Sequence, residues 1–383
     1  MNRATSKERA CIVLKRAGVP AAAVDLSVVI PNYNTAAFVL AAVDSALAQT
    51  MPRLEVIVVD DGSTDQSLET LARITDPRVT IVTQKNRGLA GARNTGILFS
   101  RGRYIGFLDS DDLWHMRKAE KQLALMEANP EVGLTFSYSA YLDEGGAPTG
   151  QLLISTCKQP TARDLAFRNH IGNGSTPIVR RECFEKAGLF AEELRSCAGR
   201  GDRFSRPEPA GPQDAQGCED YEMWVRIAAL TPYKVKLVPE VLTGYRVRAS
   251  SLSMSFDGFL AHARKAVDRL PQYLPNFSAR DTDRCYAEIV RIASRKALSN
   301  GQVSLSRALL WNALRHCPTL VGRDFRAFGM LMIHLLCIPL PAGLAVTVYR
   351  GIRVLMRQFY SIFAKLIDTT PMNAGAWSRD RQV

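Results

Sequence analysis

Four short apolar runs, each stopping at a polar cluster, constrain this chain more than any other feature. Residues 26–30 (LSVVI) run into Pro31-Asn32-Tyr33-Asn34, and 54–59 (LEVIVV) into Asp60-Asp61-Gly62-Ser63-Thr64-Asp65. Residues 79–82 lead to Gln84-Lys85-Asn86-Arg87-Gly88, and 104–108 (YIGFL) to Asp109-Ser110-Asp111-Asp112. Short continuous apolar runs between helical segments are strands buried on both faces. The spacing predicts helices over 35–49, about 66–74 and about 89–100. That alternation makes a mostly parallel α/β sheet. In such sheets ligands bind beyond the carboxyl ends of the strands, where helix N-termini offer free N–H groups to phosphate. All four polar clusters lie at that edge, so the pattern predicts a nucleotide or phosphosugar site.

The chain has 383 residues, enough for about two domains or one large domain with an appendage. Its ordinary apolar and charged fractions, 46% and 22%, exclude wholesale disorder, collagen and a disulfide miniprotein. The net charge of +12 is unevenly placed. Residues 1–244 hold 29 basic and 29 acidic side chains, whereas 245–383 hold 20 and 8. The last third is therefore the part expected to meet something anionic. Residues 1–24 read as a loose basic tail, too poor in apolar residues for a secretory leader. The eight scattered cysteines form no CxxC pair, which argues against a zinc ribbon or dithiol site and for reduced, cytoplasmic thiols.

Between Arg326 and Arg350 lie 23 residues without a formal charge, long enough to span a bilayer. Pro339 and Pro341 interrupt them, and the flanks are basic. Three readings remain open: a buried helical hairpin, attachment to an anionic membrane surface over 327–367, and a true span or re-entrant hairpin. Residues 195–217, rich in Gly, Pro and charge, read as a surface insertion. Residues 219–230 (EDYEMWVRIAAL) resume a helix with Met223, Ile227 and Leu230 on one face. Beyond Phe256 the chain looks helical and basic.

Three carboxylate clusters can carry chemistry, and each also has a plainer reading. Asp109 and Asp111, with Asp112 beside them, end a buried strand; their oxygens suit Mg2+ or Mn2+, which bind one or two carboxylates plus substrate phosphates. A loop of acidic helix caps would look the same. Asp60-Asp61-Gly62-Ser63 can accept hydrogen bonds from a base or ribose, or cap a helix. Glu219-Asp220 starts a helix and can take a proton from an attacking hydroxyl, or simply favour the helix N-terminus. The five histidines (115, 170, 262, 316 and 334) show no ligand spacing and read as structural or surface residues.

Together these segments resemble glycosyltransferase family 2, which has the GT-A fold. The matching stretches are VVIPNYN (28–34), VIVVDDGSTD (56–65), NRGLAGARNTGI (86–97), YIGFLDSDD (104–112), STPIVRRECFEKAGLF (175–190), EDYEMWVRIA (219–228) and YRVRASSLS (245–253). The resemblance implies a GT-A domain over 25–253: a nucleotide-binding half at 25–115 and an acceptor half at 116–253. The helical, basic, apolar region 254–383 follows it. It implies that Pro31, Tyr33, Asp61 and Arg93 line the nucleotide pocket. Asp109 and Asp111 would form the metal and diphosphate motif, and Asp220 the general base of a single inverting displacement. Three positions depart from the family pattern. Ala191 replaces the usual Asp of a Phe-Asp-Glu turn, the insertion before Glu219 is long, and Arg248 stands where many relatives carry His. Arg246 or Arg248 is accordingly expected to supplement the metal on the diphosphate.

The expected protein is a divalent-metal-dependent (Mn2+ or Mg2+) inverting glycosyltransferase. It would move a sugar from a nucleotide-sugar, a UDP-sugar first of all, to a glycan or lipid-linked acceptor in surface polysaccharide or glycolipid synthesis. The basic C-terminus would hold it peripherally at the inner face of the cytoplasmic membrane. The alternative is a catalytically degenerate GT-A binding module at the membrane. A D-x-D phosphohydrolase with Asp109 as nucleophile is disfavoured, because Leu113 stands where that chemistry wants Thr or Val. No nucleic-acid partner is expected, since the basic tail lacks interleaved aromatics.

Overall fold

The computed structural model describes residues 11–18, 20, 24–194, 218–248, 256–299 and 301–320, with Gly329, Met332 and Leu344 beyond them. The insertion at 195–217 and nearly all of 327–367 lie outside the described residues.

The predicted alternation is present in order. After β1 (Cys11–Lys15) come β2 (Leu26–Asn32), α1 (Val39–Leu47), β3 (Leu54–Asp60), α2 (Ser67–Ala72), β4 (Val79–Gln84), α3 (Gly88–Phe99) and β5 (Tyr104–Phe107). The chain continues through β6 (Leu113–Trp114), α4 (Lys118–Ala128), β7 (Val132–Leu142), β8 (Pro148–Leu153), α5 (Ala162–Phe167), β9 (Ile178–Arg180) and α6 (Arg181–Ala187). Then follow α7 (Glu219–Leu230), β10 (Lys234–Arg246), α8 (Phe256–Arg269), α9 (Ala279–Ser299) and α10 (Val303–His316).

The described strands join one sheet in the order β1-β4-β3-β2-β5-β9-β7-β10-β6, with β8 on β7. The β2–β3, β3–β4, β2–β5 and β7–β10 pairs are parallel. Antiparallel β9 joins the two parallel halves by pairing with both β5 and β7. Alternation along β2 sends Leu26, Val28 and Ile30 into a core shared with α1 and α4, and Val29 into the core on the other face. There α3 lies close: a Cβ on Gly96 would sit 2.2 Å from Val29 Cγ1, so glycine sets the helix-to-sheet distance.

The polar residues inside the first two runs are satisfied by each other. Ser27 and Glu55 face one another in register, the Ser27 hydroxyl donating to Glu55 Oε1 at 2.7 Å. Arg101 closes the buried carboxylate from outside through Glu55 Oε2.

The structure corrects the reading of 1–24 as a loose tail. Cys11–Lys15 is an edge strand, antiparallel to β4, with an alternating burial pattern. Lys15 Nζ anchors it by donating to the carbonyls of Ile74 and Asp76. The physical cause is the open row of backbone groups on β4, which the N-terminal segment fills. Helices α8–α10 share the core on the α3 face, where Ala263, Leu270, Val290 and Leu309 join the cluster containing Trp224 and Phe107. Among the described residues no helix is long and apolar enough to cross a membrane.

Candidate active site

Two of the three predicted carboxylate clusters follow β3 and β5, and the third, Glu219-Asp220, begins α7 and is tied to Asp109 through Arg93. Asp61 follows β3; its Oδ1 accepts from Gln84 Nε2 at 2.6 Å and from the Arg87 amide at 2.8 Å. Asp60 serves the scaffold: Asn32 Nδ2 and the Ser63 amide donate to it, holding the ends of β2 and β3 together. Pro31 lies buried in β2, and Tyr33 just beyond it is 43% exposed at the rim. Thr35 was expected in a helix. Instead its hydroxyl donates to Asn32 Oδ1, and it lies 2.7 Å from Ser110 Oγ, tying the β2 loop to the acidic loop.

The acidic loop after β5 divides its three carboxylates by burial. Asp112 is buried, with Oδ2 accepting from Ser175 Oγ at 2.7 Å and Oδ1 from the Arg246 amide at 2.9 Å. Burial, together with neighbouring Asp111 and Asp109, pushes its carboxyl well above the usual range. Asp109 and Asp111 keep 25% and 19% of their side chains exposed. Each meets an arginine through one oxygen: Asp109 Oδ1 meets Arg93 at 2.8 Å and Asp111 Oδ2 meets Arg248 at 2.7 Å. The carboxylate oxygens of Asp109 and Asp111 are of the kind that would hold a hard divalent cation, with phosphate and water supplying its other ligands. Asp112 positions the loop instead. Among the described residues no group of three or more His, Cys, Asp or Glu side chains is arranged to hold a metal unaided.

Arg93 was expected on the pocket wall, and the structure places it beneath the site. It projects from α3, is 1% exposed, and splits its guanidinium between Asp109 and Glu219 Oε1, each at 2.8 Å. Phe190 packs below it, 5.6 Å from the guanidinium carbon to the ring centre. Gly174 leaves room for it, since a Cβ there would come within 2.2 Å of Arg93 Nη2. Arg93 thereby links the acidic loop to the start of α7.

Helix α7 begins after Cys218, whose φ of 76° turns the chain sharply into the first helical residue. Glu219 is buried; burial pushes its carboxyl up to about 7, with Arg93 opposing. Asp220 is partly exposed, and the Tyr221 amide donates to its Oδ1 at 2.6 Å. A helix N-terminus lowers a carboxyl pKa and burial raises it. Burial prevails here, so Asp220 is a stronger base than an ordinary aspartate, Arg93 again opposing. Leu230 departs from the expected apolar face: it closes the helix and is 46% exposed, while Met223, Trp224 and Ile227 are buried.

The two C-terminal arginines of the site differ. Arg246 donates through Nε to the Asp111 carbonyl at 2.7 Å and through Nη1 to the Glu144 carbonyl at 2.8 Å, so its guanidinium braces the loop. Arg248 places its charge on the Asp111 carboxylate. Both lie over the Phe38 ring, at 5.1 and 4.9 Å. An open cleft of about 510 Å³ begins at Phe38 and runs between 34–38 and 64–69, beside the carboxylates rather than over them. At the departure Ala191 the residue is buried apolar, and Glu192 beside it accepts from Arg87 and Asn94.

Sequence reasoning passed over Ser175 and Gly174. Both lie in or beside the segment 175–190, but their roles exist only through partners on the acidic loop and on α3.

Comparison with known proteins agrees with this fold. Residues 27–188 match the model of Glycosyl transferase family 2. Over 169 residues the chain is 40% identical to the Escherichia coli UDP-Glc:alpha-D-GlcNAc-diphosphoundecaprenol beta-1,3-glucosyltransferase WfaP, covering 41% of this chain and 66% of that protein. Over 162 residues it is 35% identical to the putative teichuronic acid biosynthesis glycosyltransferase TuaG of Bacillus subtilis (strain 168), covering 41% and 62%. The chain thus spans less than two thirds of each. The structure of S. aureus TarS 1–349 superposes with a TM-score of 0.52 at 17% identity, over 87% of this chain and 91% of that one. Mannosyltransferase PcManGT from Pyrobaculum calidifontis, in complex with GDP-Man and Mn2+, gives 0.51 at 19%, over 87% of each chain.

The mostly parallel sheet with its helices has the GT-A fold seen in TarS. Residues 27–188 form a glycosyltransferase family 2 domain.

Proposed function

We propose that the protein is a metal-dependent inverting glycosyltransferase that moves a sugar from a UDP-sugar to a lipid-linked or glycan acceptor. The observation that carries this reading is the division of labour in the Glu219-Asp220 pair. Arg93 occupies Glu219 and leaves the neighbouring, partly exposed Asp220 as the basic group at the site. The UDP-glucose and diphosphoundecaprenol in the name of WfaP support the donor and acceptor classes, as does the UDP-GlcNAc bound to TarS.

In this reading Pro31, Tyr33 and Asp61 receive the base and ribose, Asp61 already being oriented by Gln84 and the Arg87 amide. Asp109 and Asp111 would hold Mg2+ or Mn2+, which when bound neutralises the charge on the departing diphosphate. Asp220 takes the proton of the acceptor hydroxyl as its oxygen bonds to the sugar's anomeric carbon, and the bond from that carbon to the diphosphate breaks. One displacement inverts the centre, so no second carboxylate nucleophile is needed, unlike in a retaining glycosidase. Of the two arginines, Arg248 is the one available to the diphosphate, because Arg246 is held by backbone carbonyls.

Asp220→Asn should lower turnover at least ~100-fold while leaving nucleotide binding intact. Retained turnover removes Asp220 from its role. Calorimetry with UDP, GDP, CDP and dTDP, each with and without Mn2+, tests the donor class. Manganese-dependent binding of UDP, lost in Asp111→Ala, is the expected result; a folded protein that binds none of the four refutes the reading.

A further inference from the structure

The two partly exposed carboxylates of the acidic loop are held by arginines of different burial and commitment. Arg93 is buried and committed to Asp109 and Glu219 together, so releasing it would strand two carboxylates. Arg248 lies two residues beyond the end of β10, partly exposed, with its guanidinium over Phe38 and one nitrogen 2.7 Å from Asp111 Oδ2. Asp112 cannot stand in for Asp111, because its oxygens are taken by Ser175 and the Arg246 amide. A guanidinium and a divalent cation at the same carboxylate repel each other over a few ångströms, in a partly desolvated place where that repulsion is strong. A diphosphate reverses the balance, since arginine binds phosphate oxygens bidentately and with charge assistance.

We propose that Arg248 is a built-in competitor for the cation: it holds Asp111 in the donor-free protein, and an incoming nucleoside diphosphate frees Asp111 by giving the guanidinium another acceptor. The inference rests on Asp109 and Asp111 being the cation ligands. It makes cation and diphosphate binding cooperative. By linkage each tightens the other by the same factor, and part of that factor is the release of Arg248.

The test is Mn2+ binding to the full-length protein, followed by calorimetry and by the paramagnetic resonance of free Mn2+, with and without UDP. Wild type, Arg248→Gln and Arg248→Lys are compared after thermal melting shows that all three fold. Without nucleotide, Arg248→Gln should bind Mn2+ about tenfold more tightly than wild type, and Arg248→Lys, which keeps the charge, should stay close to wild type. The tightening of Mn2+ by UDP should shrink in Arg248→Gln by a similar factor. If wild type binds Mn2+ with UDP but Arg248→Gln binds Mn2+ alone no more tightly, the competition is refuted and the metal reading stands. If Mn2+ binds none of the three proteins even with UDP, the metal reading fails and the competition with it.

Discussion

Arg93 shows how one side chain can be indispensable without facing a ligand. Its two nitrogens neutralise Asp109 and Glu219, which lie 16 and 126 residues away in sequence. Arg93→Ala should lower unfolding free energy by roughly 3–5 kcal/mol in urea titrations, because removing one member of a buried ionic set leaves the others uncompensated. Lys118 presents the opposite case, a buried lysine with no carboxylate on it among the described residues. It donates to Thr176 O at 2.7 Å and to Gln122, and Trp114 packs 5.1 Å from its nitrogen. Burial holds its pKa well below 10.5, so the folded state prefers the neutral amine while the unfolded chain takes the proton. Up to 10.5 the unfolded chain binds more protons, so the penalty of Lys118 shrinks as pH rises from the depressed folded value. Melting curves of wild type and Lys118→Met between about pH 6 and about pH 9 should therefore diverge, wild type gaining on the variant as pH rises. Parallel curves would contradict the assignment. Asp109, Asp111 and Asp220 were legible as candidates because each ends a strand or begins a helix. The part played by Arg93 was not, because nothing near it in sequence reveals its partners.

Among the elements, strand starts were read more sharply than strand ends or the start of α1. Strand β3 overruns its apolar stretch by only one residue and α7 matches its predicted span, whereas α1 begins four residues late because Thr35 is drawn into the site. Strand β10 shifts register between Val238 and Val241, where Pro239 has no N–H to give the ladder, a place where proline is tolerated. The contact of α3 on β2 is a close packing feature near the site. Gly96→Ala forces a methyl against Val29 and should cost roughly 1–3 kcal/mol of unfolding free energy. Adding Val29→Ala should recover part of that loss, so the two costs sum to more than the double variant shows. Strict additivity in denaturant titrations would mean that the helix simply moves aside.

Across the molecule, the C-terminal helices and the sheet share a core, while the basic excess of 245–383 and the apolar stretch 327–349 carry the proposal of attachment to a membrane surface. The full-length chain should co-sediment with vesicles containing anionic lipid and be released as salt rises past physiological strength. Quantitative recovery in the supernatant at low salt would overturn that proposal. The order of apolar runs and polar stops was enough to specify a mostly parallel α/β sheet and the edge at which the candidate site is proposed. Strand burial and helix periodicity are properties of near neighbours, and these can be read one residue after another. The pairing of Asp111 with Arg248, the burial of Arg93, the loop-holding role of Asp112 and the capture of Cys11–Lys15 by β4 could not be read that way. Each is a contact between distant parts of the chain, and its sign and strength depend on burial that exists only once the strands have come into register.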